Sequence, residues 1–310
     1  MHARAVVATT TALLGAAALL GPASAARAHD GERPAVIAHR GASAYAPENT
    51  LPAVDKAAEL GIHWVENDVQ RTKDGELVVV HDDTLRRTTD AEEVFPDRAP
   101  WKVKDFTAAE IARLDAGSWF GPSWAGTRVP TLREYVHRIE RHRQKLLLEI
   151  KNPELYPGIE RDTLKVLGNE GWLDRRHLSG RLVVQSFDAD SVRTVHELKP
   201  AVKTGLLGTP PMSRLPAYAG FADQINVSYA LLSVGYVSAV HAFTGPHGKP
   251  LEVFTWTVDD AVGARRAAGY GVDGIITNKP DVVRAATLGE NAAAGKRAGE
   301  AWSQGGAAGE

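Results

Sequence analysis

Glu66 and Asp68 stand two residues apart in one β-branched run, and Glu149 and Lys151 stand two apart in another. In a strand that spacing turns both members of a pair to the same face. Three carboxylates directed at one place repel one another unless positive charge lies between them. Their oxygens suit one hard divalent cation, Ca²⁺ or Mg²⁺. A salt-bridge network with Arg40 and Lys151 is the alternative, and the two arrangements can coexist. His39 and His81 add imidazoles, which exchange protons near neutral pH. A single strand histidine is commonly a core or surface residue; two beside a carboxylate cluster suit an acid and a base. Arg40 offers a fork of donors for a phosphate, or else a partner for Glu66 or Glu149. His63, His137, His142, His177, His196, His241 and His247 have no such company and read as structural or exposed.

Short strand-like runs at 35–39, 63–69, 146–150, 182–187, 204–208, 224–228, 253–258 and 274–277 must carry these groups. Amphipathic helical patterns lie between many of them, at 50–60, 132–143, 191–198, 231–242 and 259–270. That alternation predicts a parallel sheet with crossover helices. Eight such strands favour a closed (β/α)8 TIM barrel, whose chemistry sits at the C-terminal strand ends. No Gly-x-Gly-x-x-Gly follows the first strand, so a dinucleotide fold is disfavoured. A further run at 77–81 is too close to the second strand for a crossover. Asp74-Gly75 predicts a two-residue hairpin there, with Lys73 facing Glu76 and Asp68 facing His81. Residues 84–130 are too long for an ordinary loop and read as an insertion over the mouth, with a short helix at 107–114.

The chain has 310 residues and a formal charge of -2, which gives no electrostatic case for nucleic acid. The absence of cysteine excludes disulfides, thiolate metal sites and cysteine nucleophiles. Residues 1–28 read as a secretory signal: Arg4, an apolar stretch from Val6 to Leu20, a Gly21-Pro22 break, then Ala23-Ser24-Ala25 and Ala26-Arg27-Ala28. Cleavage is expected near Ala25 or Ala28, giving a secreted protein by the general route, since there is no twin arginine. A membrane anchor is the alternative, but the apolar run is short for one, and no stable membrane insertion is expected. The Gly/Ala-rich tail at 288–310 reads as disordered. The barrel is then expected over 29–287.

His39-Arg40-Gly41, Pro47-Glu48-Asn49-Thr50, Glu66-x-Asp68, Thr72-Lys73-Asp74-Gly75 and His81-Asp82 follow one another in this order. With Leu114-Asp115-Ala116-Gly117, Pro130-Thr131-Leu132, Glu149-x-Lys151, Gln185-Ser186-Phe187, Trp256-Thr257-Val258 and the run from Gly271 to Pro280, the set resembles the glycerophosphodiester phosphodiesterase family. The resemblance covers about 36–287. It implies a TIM barrel with an insertion after the His-Asp strand. It implies a divalent metal on Glu66, Asp68 and Glu149, an acid–base pair at His39 and His81, and Arg40 on the phosphate, with Lys151 and Trp256 toward the substrate. Products would be glycerol 3-phosphate and an alcohol, with a substrate hydroxyl able to attack first and give a cyclic phosphate. Asn67 stands where the family has an apolar residue, and should face outward and need a partner or solvent. Asn278 stands where Asp is common, and neither departure is expected to matter to the chemistry. Trp64 is expected to pack under the site. Two other readings compete. One is a lysophospholipase D or sphingomyelinase D-like lipid phosphodiesterase, with Trp119, Phe120 and Trp124 lining a groove or forming lid core. The other is a non-catalytic metal-binding surface protein, which would not need both histidines.

Overall fold

The computed structural model describes residues 33–288. The expected export signal, and the expected tail apart from Leu288, lie outside them. The strands are β1 (Ala35–Ala38), β2 (Trp64–Arg71), β3 (Leu77–Val79), β4 (Lys145–Ile150), β5 (Leu182–Ser186), β6 (Lys203–Leu207), β7 (Gln224–Ser228), β8 (Glu252–Trp256) and β9 (Gly274–Thr277). β1 pairs in parallel with both β2 and β9, so the eight parallel strands close on themselves; β3 alone is antiparallel and hangs on β2. This is the (β/α)8 barrel that the strand–helix rhythm implies.

The outer helices form where caps and apolar stripes agree. In Leu132–Arg141, Leu132, Tyr135, Val136 and Ile139 are buried, and Thr131 and Glu134 close a capping box. Thr50 caps Leu51–Glu59 by accepting from the Ala53 N–H. The helix Ile159–Asn169 is not anticipated by the sequence reading. It begins after a left-handed Gly158 rather than a polar cap, which removes the usual start signal. Two apolar belts lie between strands and helices. One runs from Ala38 to Val202, the other from Val192 to Ala286. Inside the barrel, Ile37, Leu147, Val183, Phe254 and Ile276 make a dry floor, and Trp64 packs against it as expected.

The hairpin differs from its expected register. Val69 pairs with Val79 and Arg71 with Leu77, which puts Val80, not His81, opposite Asp68; the Val80 N–H donates to the Asp68 carbonyl at 3.0 Å. The loop has three residues rather than two. The Thr72 N–H donates to the Glu76 carbonyl at 2.9 Å, and Gly75 at φ +91° completes the turn. Three-residue hairpins of this kind need a left-handed residue last, the position glycine fills without strain. A one-residue slip reverses every side chain in a ladder, so His81 reaches the mouth only because β3 stops at Val79. The Gln70 side-chain amide donates to the carbonyls of Val80, His81 and Asp82 and turns the chain there.

The insertion has its own core of Val78, Val80, Leu85, Val103, Phe106, Ile111 and Leu114. Its expected helix is the single turn Ala108–Ile111, started by a Thr107–Glu110 capping box. Asn67 does face away from the barrel interior, but it is 0% exposed and neither end of its amide has a hydrogen-bond partner. The expected partner is missing, and nothing in the structure compensates for it.

Candidate active site

β1, β2 and β4 bring their polar residues to one open cavity of about 450 Å³ at the C-terminal face. His39, Arg40, Glu66, His81, Glu149, Lys151 and Trp256 all line it. Asp68 lies just beneath, paired in register with Glu149. Glu66, Asp68 and Glu149 are 1%, 1% and 6% exposed. Each offers an oxygen within 4.8 Å of the others'.

Three buried acids this close cannot all ionise freely. Burial, then Asp68 and Glu149, pushes Glu66 well above the usual carboxylate range. Burial and Asp68 lift Glu149 to about 7. Asp68 resists the upward push of burial because Arg40, His81 and Lys151 hold it down. Arg40 Nε lies 3.4 Å from Asp68 Oδ2, and Lys151 Nζ lies 2.8 Å from Glu149 Oε1. The ion-pair network is therefore real, yet incomplete. Asp68 Oδ1 is buried without a hydrogen bond. A triad of hard oxygens with one left orphaned fits a divalent cation. Asn49 holds the other oxygen of Asp68, donating through Nδ2 at 2.8 Å.

The histidines have unlike partners. His39 Nδ1 lies 2.7 Å from Asn278 Oδ1. Asn278 in turn donates to Asp259 through its backbone N–H and its Nδ2, both at 2.7 Å. A carboxylate accepts only, so the Asn278 oxygen must face His39 and His39 must carry its proton on Nδ1. Nε2 is left free to accept. Burial, then Arg40, lowers His39 to about 4. The departure at Asn278 thus bears directly on an expected catalytic residue, contrary to expectation. His81 Nδ1 instead meets a charged group, Asp82 Oδ1, at 2.7 Å, while Lys151 Nζ is 3.3 Å from its Nε2.

Sequence reasoning missed the residue that ties the mouth together. Arg87, from the insertion, donates to both Glu48 oxygens and both Asp82 oxygens. Glu48 accepts from Arg40 at 2.9 Å. Glu48 and Asp82 stood within the quoted motifs; Arg87 sits in a stretch with no periodic pattern. On the far wall Phe187, 52% exposed, meets Trp256 edge-on at 5.5 Å. Trp119, Phe120 and Trp124 line none of this cavity and pack on one another instead.

The sequence model of the glycerophosphoryl diester phosphodiesterase family matches residues 39–282, from the first candidate histidine to beyond the last strand. The chain belongs to that family. A glycerophosphodiester phosphodiesterase of Caldanaerobacter subterraneus subsp. tengcongensis is 38% identical over 256 residues, 80% of this chain and 95% of that protein. One from Bacillus subtilis is 34% identical over 265 residues, 81% of this chain and 85% of that protein. Among solved structures, an Oleispira antarctica phosphodiesterase in complex with the product sn-glycerol-3-phosphate superposes with a TM-score of 0.67 at 30% identity, covering 82% of this chain and 96% of that one. Among glycerophosphoryl diester phosphodiesterases, then, this chain carries its acids, histidines and cations on the first strands of the barrel.

Proposed function

We propose that this protein hydrolyses glycerophosphodiesters to glycerol 3-phosphate and an alcohol with the help of one divalent cation, Ca²⁺ or Mg²⁺. One observation carries the reading. Two carboxylates of a buried triad, with the third just beneath, share one cavity with Arg40, Lys151 and two histidines of different partners in a chain of this family. Glu66, Asp68 and Glu149 would hold the cation, which supplies Lewis-acid neutralisation of phosphoryl charge. Arg40 and Lys151 bind the anionic phosphate and stabilise the charge that builds up on its oxygens. His39, with Nδ1–H fixed on Asn278, accepts at Nε2 the proton of the attacking water or substrate hydroxyl. The new O–P bond forms as the bond to the departing alcohol breaks. His81, held through Nδ1 by Asp82, gives a proton from Nε2 to that alkoxide once the phosphate has drawn Lys151 away. Where a substrate hydroxyl attacks first, the two histidines exchange roles as water opens the cyclic phosphate.

The relatives named above act, by their names, on glycerophosphodiesters, and the solved relative holds sn-glycerol-3-phosphate. A lysolipid substrate is the second reading, favoured by the apolar wall of Phe187, Leu207, Trp256 and Ile276. The signal-like pattern of residues 1–28 supports action outside the cytoplasm; no helix of the described residues is long and apolar enough to cross a membrane. The test is metal-stripped protein assayed on several glycerophosphodiesters and a lysolipid, with Ca²⁺ and Mg²⁺ restored separately. Glycerol 3-phosphate should appear only after restoration. Its absence with every diester and either cation would overturn the proposal.

A further inference from the structure

From β8 round to β5, where Gln185 pairs in register with Glu149, the barrel holds a chain of amides whose orientations depend on one another. Glu252, at the start of β8, accepts from Gln224 Nε2 at 2.6 Å and from Lys203 Nζ at 3.2 Å. Because the carboxylate only accepts, Gln224 turns its Oε1 inward, to 3.5 Å from Asn226 Nδ2. The same Nδ2 donates to Gln185 Oε1 at 2.7 Å. Asn226 Nδ2 therefore sits between two carbonyl oxygens, while its Oδ1 is buried without a partner. The opposite flip would set Asn226 Oδ1 against Gln224 Oε1, whichever way Gln185 turned. The contact from β7 to β5 passes over β6, where Gly205 leaves room. A Cβ there would lie 2.8 Å from Asn226 Nδ2. With its Oε1 committed to Asn226, Gln185 has its Nε2 amine left for the cavity that it lines.

We propose that Gln185 binds substrate by donating from Nε2 to the terminal hydroxyl of the glycerol arm. Asn226, set by Gln224 and Glu252, is the positioning residue that keeps this donor facing outward. The assignment rests on the glycerophosphodiester reading and adds to it a residue that selects the substrate. The anion already has Arg40 and Lys151. Gln185 stands between the two walls of the cavity, paired in register with Glu149 on one side and followed by Phe187, Leu207, Trp256 and Ile276 on the other. A buried donor whose own oxygen is already engaged discriminates, because a ligand without the matching acceptor forgoes that hydrogen bond.

The experiment compares a glycerophosphodiester with its analogue lacking only the terminal hydroxyl; the middle hydroxyl is kept because it is a possible nucleophile. The wild-type protein should favour the full substrate by about tenfold in kcat/KM. Gln185→Met preserves length and removes the donor, and should abolish the preference, mainly through KM and with kcat on the analogue retained. Asn226→Asp offers only acceptors, so Gln185 turns its Nε2 toward it and its Oε1 to the cavity; the same loss of preference is expected. Should the buried Asp prevent folding, Gln185→Met still decides the matter. Equal loss on both substrates in Gln185→Met, or no preference in an active wild type, overturns the proposal. A wild type inactive on both substrates removes the glycerophosphodiester reading, and this assignment with it.

Discussion

His39 and Asn278 share a hydrogen bond of 2.7 Å whose direction is dictated from outside it, by the grip of Asp259 on the Asn278 amide. The partner of His39 is therefore neutral, and burial and Arg40 lower the imidazole to about 4. A base must be unprotonated to work, so this one is competent above that pH. Asn278→Asp would add a negative charge, favour the imidazolium and raise the pKa. The acidic limb of the kcat/KM profile should then move up by roughly one to three pH units. An unmoved limb would assign it to another group.

His39→Ala and His81→Ala should each lower turnover by about 10²–10⁴-fold, the usual share of a general acid or base. Metal affinity should hardly change, since neither histidine belongs to the carboxylate triad. A nitrophenyl ester needs no acid for its leaving group and should rescue His81→Ala only. Rescue of His39→Ala instead would exchange the two roles, as steady-state kinetics on both esters would show.

Glu149→Gln keeps the shape of the side chain and removes one charge from a triad whose oxygens lie within 4.8 Å. Divalent cation affinity, followed by calorimetry, should fall by about tenfold or more. Unchanged binding would leave Glu149 as a partner of Lys151 and nothing else.

The Asn67 amide is fully buried, and no group of the described residues hydrogen-bonds it. Asn67→Leu should stabilise the protein by about 1–3 kcal/mol, the cost of an unsatisfied buried polar group. Urea unfolding measures this directly, and a destabilised variant would reveal an unseen partner for the amide.

The strand rhythm, the closed barrel and the convergence of Glu66, Asp68, Glu149 and Lys151 were legible because each rests on a short-range pattern. Spacing of two along β2 and β4 suffices to put Glu66 with Asp68 and Glu149 with Lys151. The register of β3 was not legible from Asp74-Gly75. Thr72 bonds across to Glu76 and draws Lys73 into the loop, and the dipeptide alone does not show that. Arg87 was hidden because its two partners, Glu48 and Asp82, come from separate loops. Gln185 stood in a motif, but the direction of its amide is decided by Glu252, three strands away.

Two stretches of the chain supply the walls of the cavity. His39, Arg40, Glu66, Asp68, His81, Glu149 and Lys151 come from the N-terminal half; Gln185, Phe187, Leu207, Trp256 and Ile276 come from the C-terminal half. On the proposed roles, reactivity and appetite occupy separate cassettes. On the proposed reading, a chimera that borrowed its second stretch from a relative would inherit that relative's grip on the glycerol arm while keeping the same way of cutting. The seam to preserve is where β9 meets β1 and Asn278 takes hydrogen bonds from both His39 and Ser43.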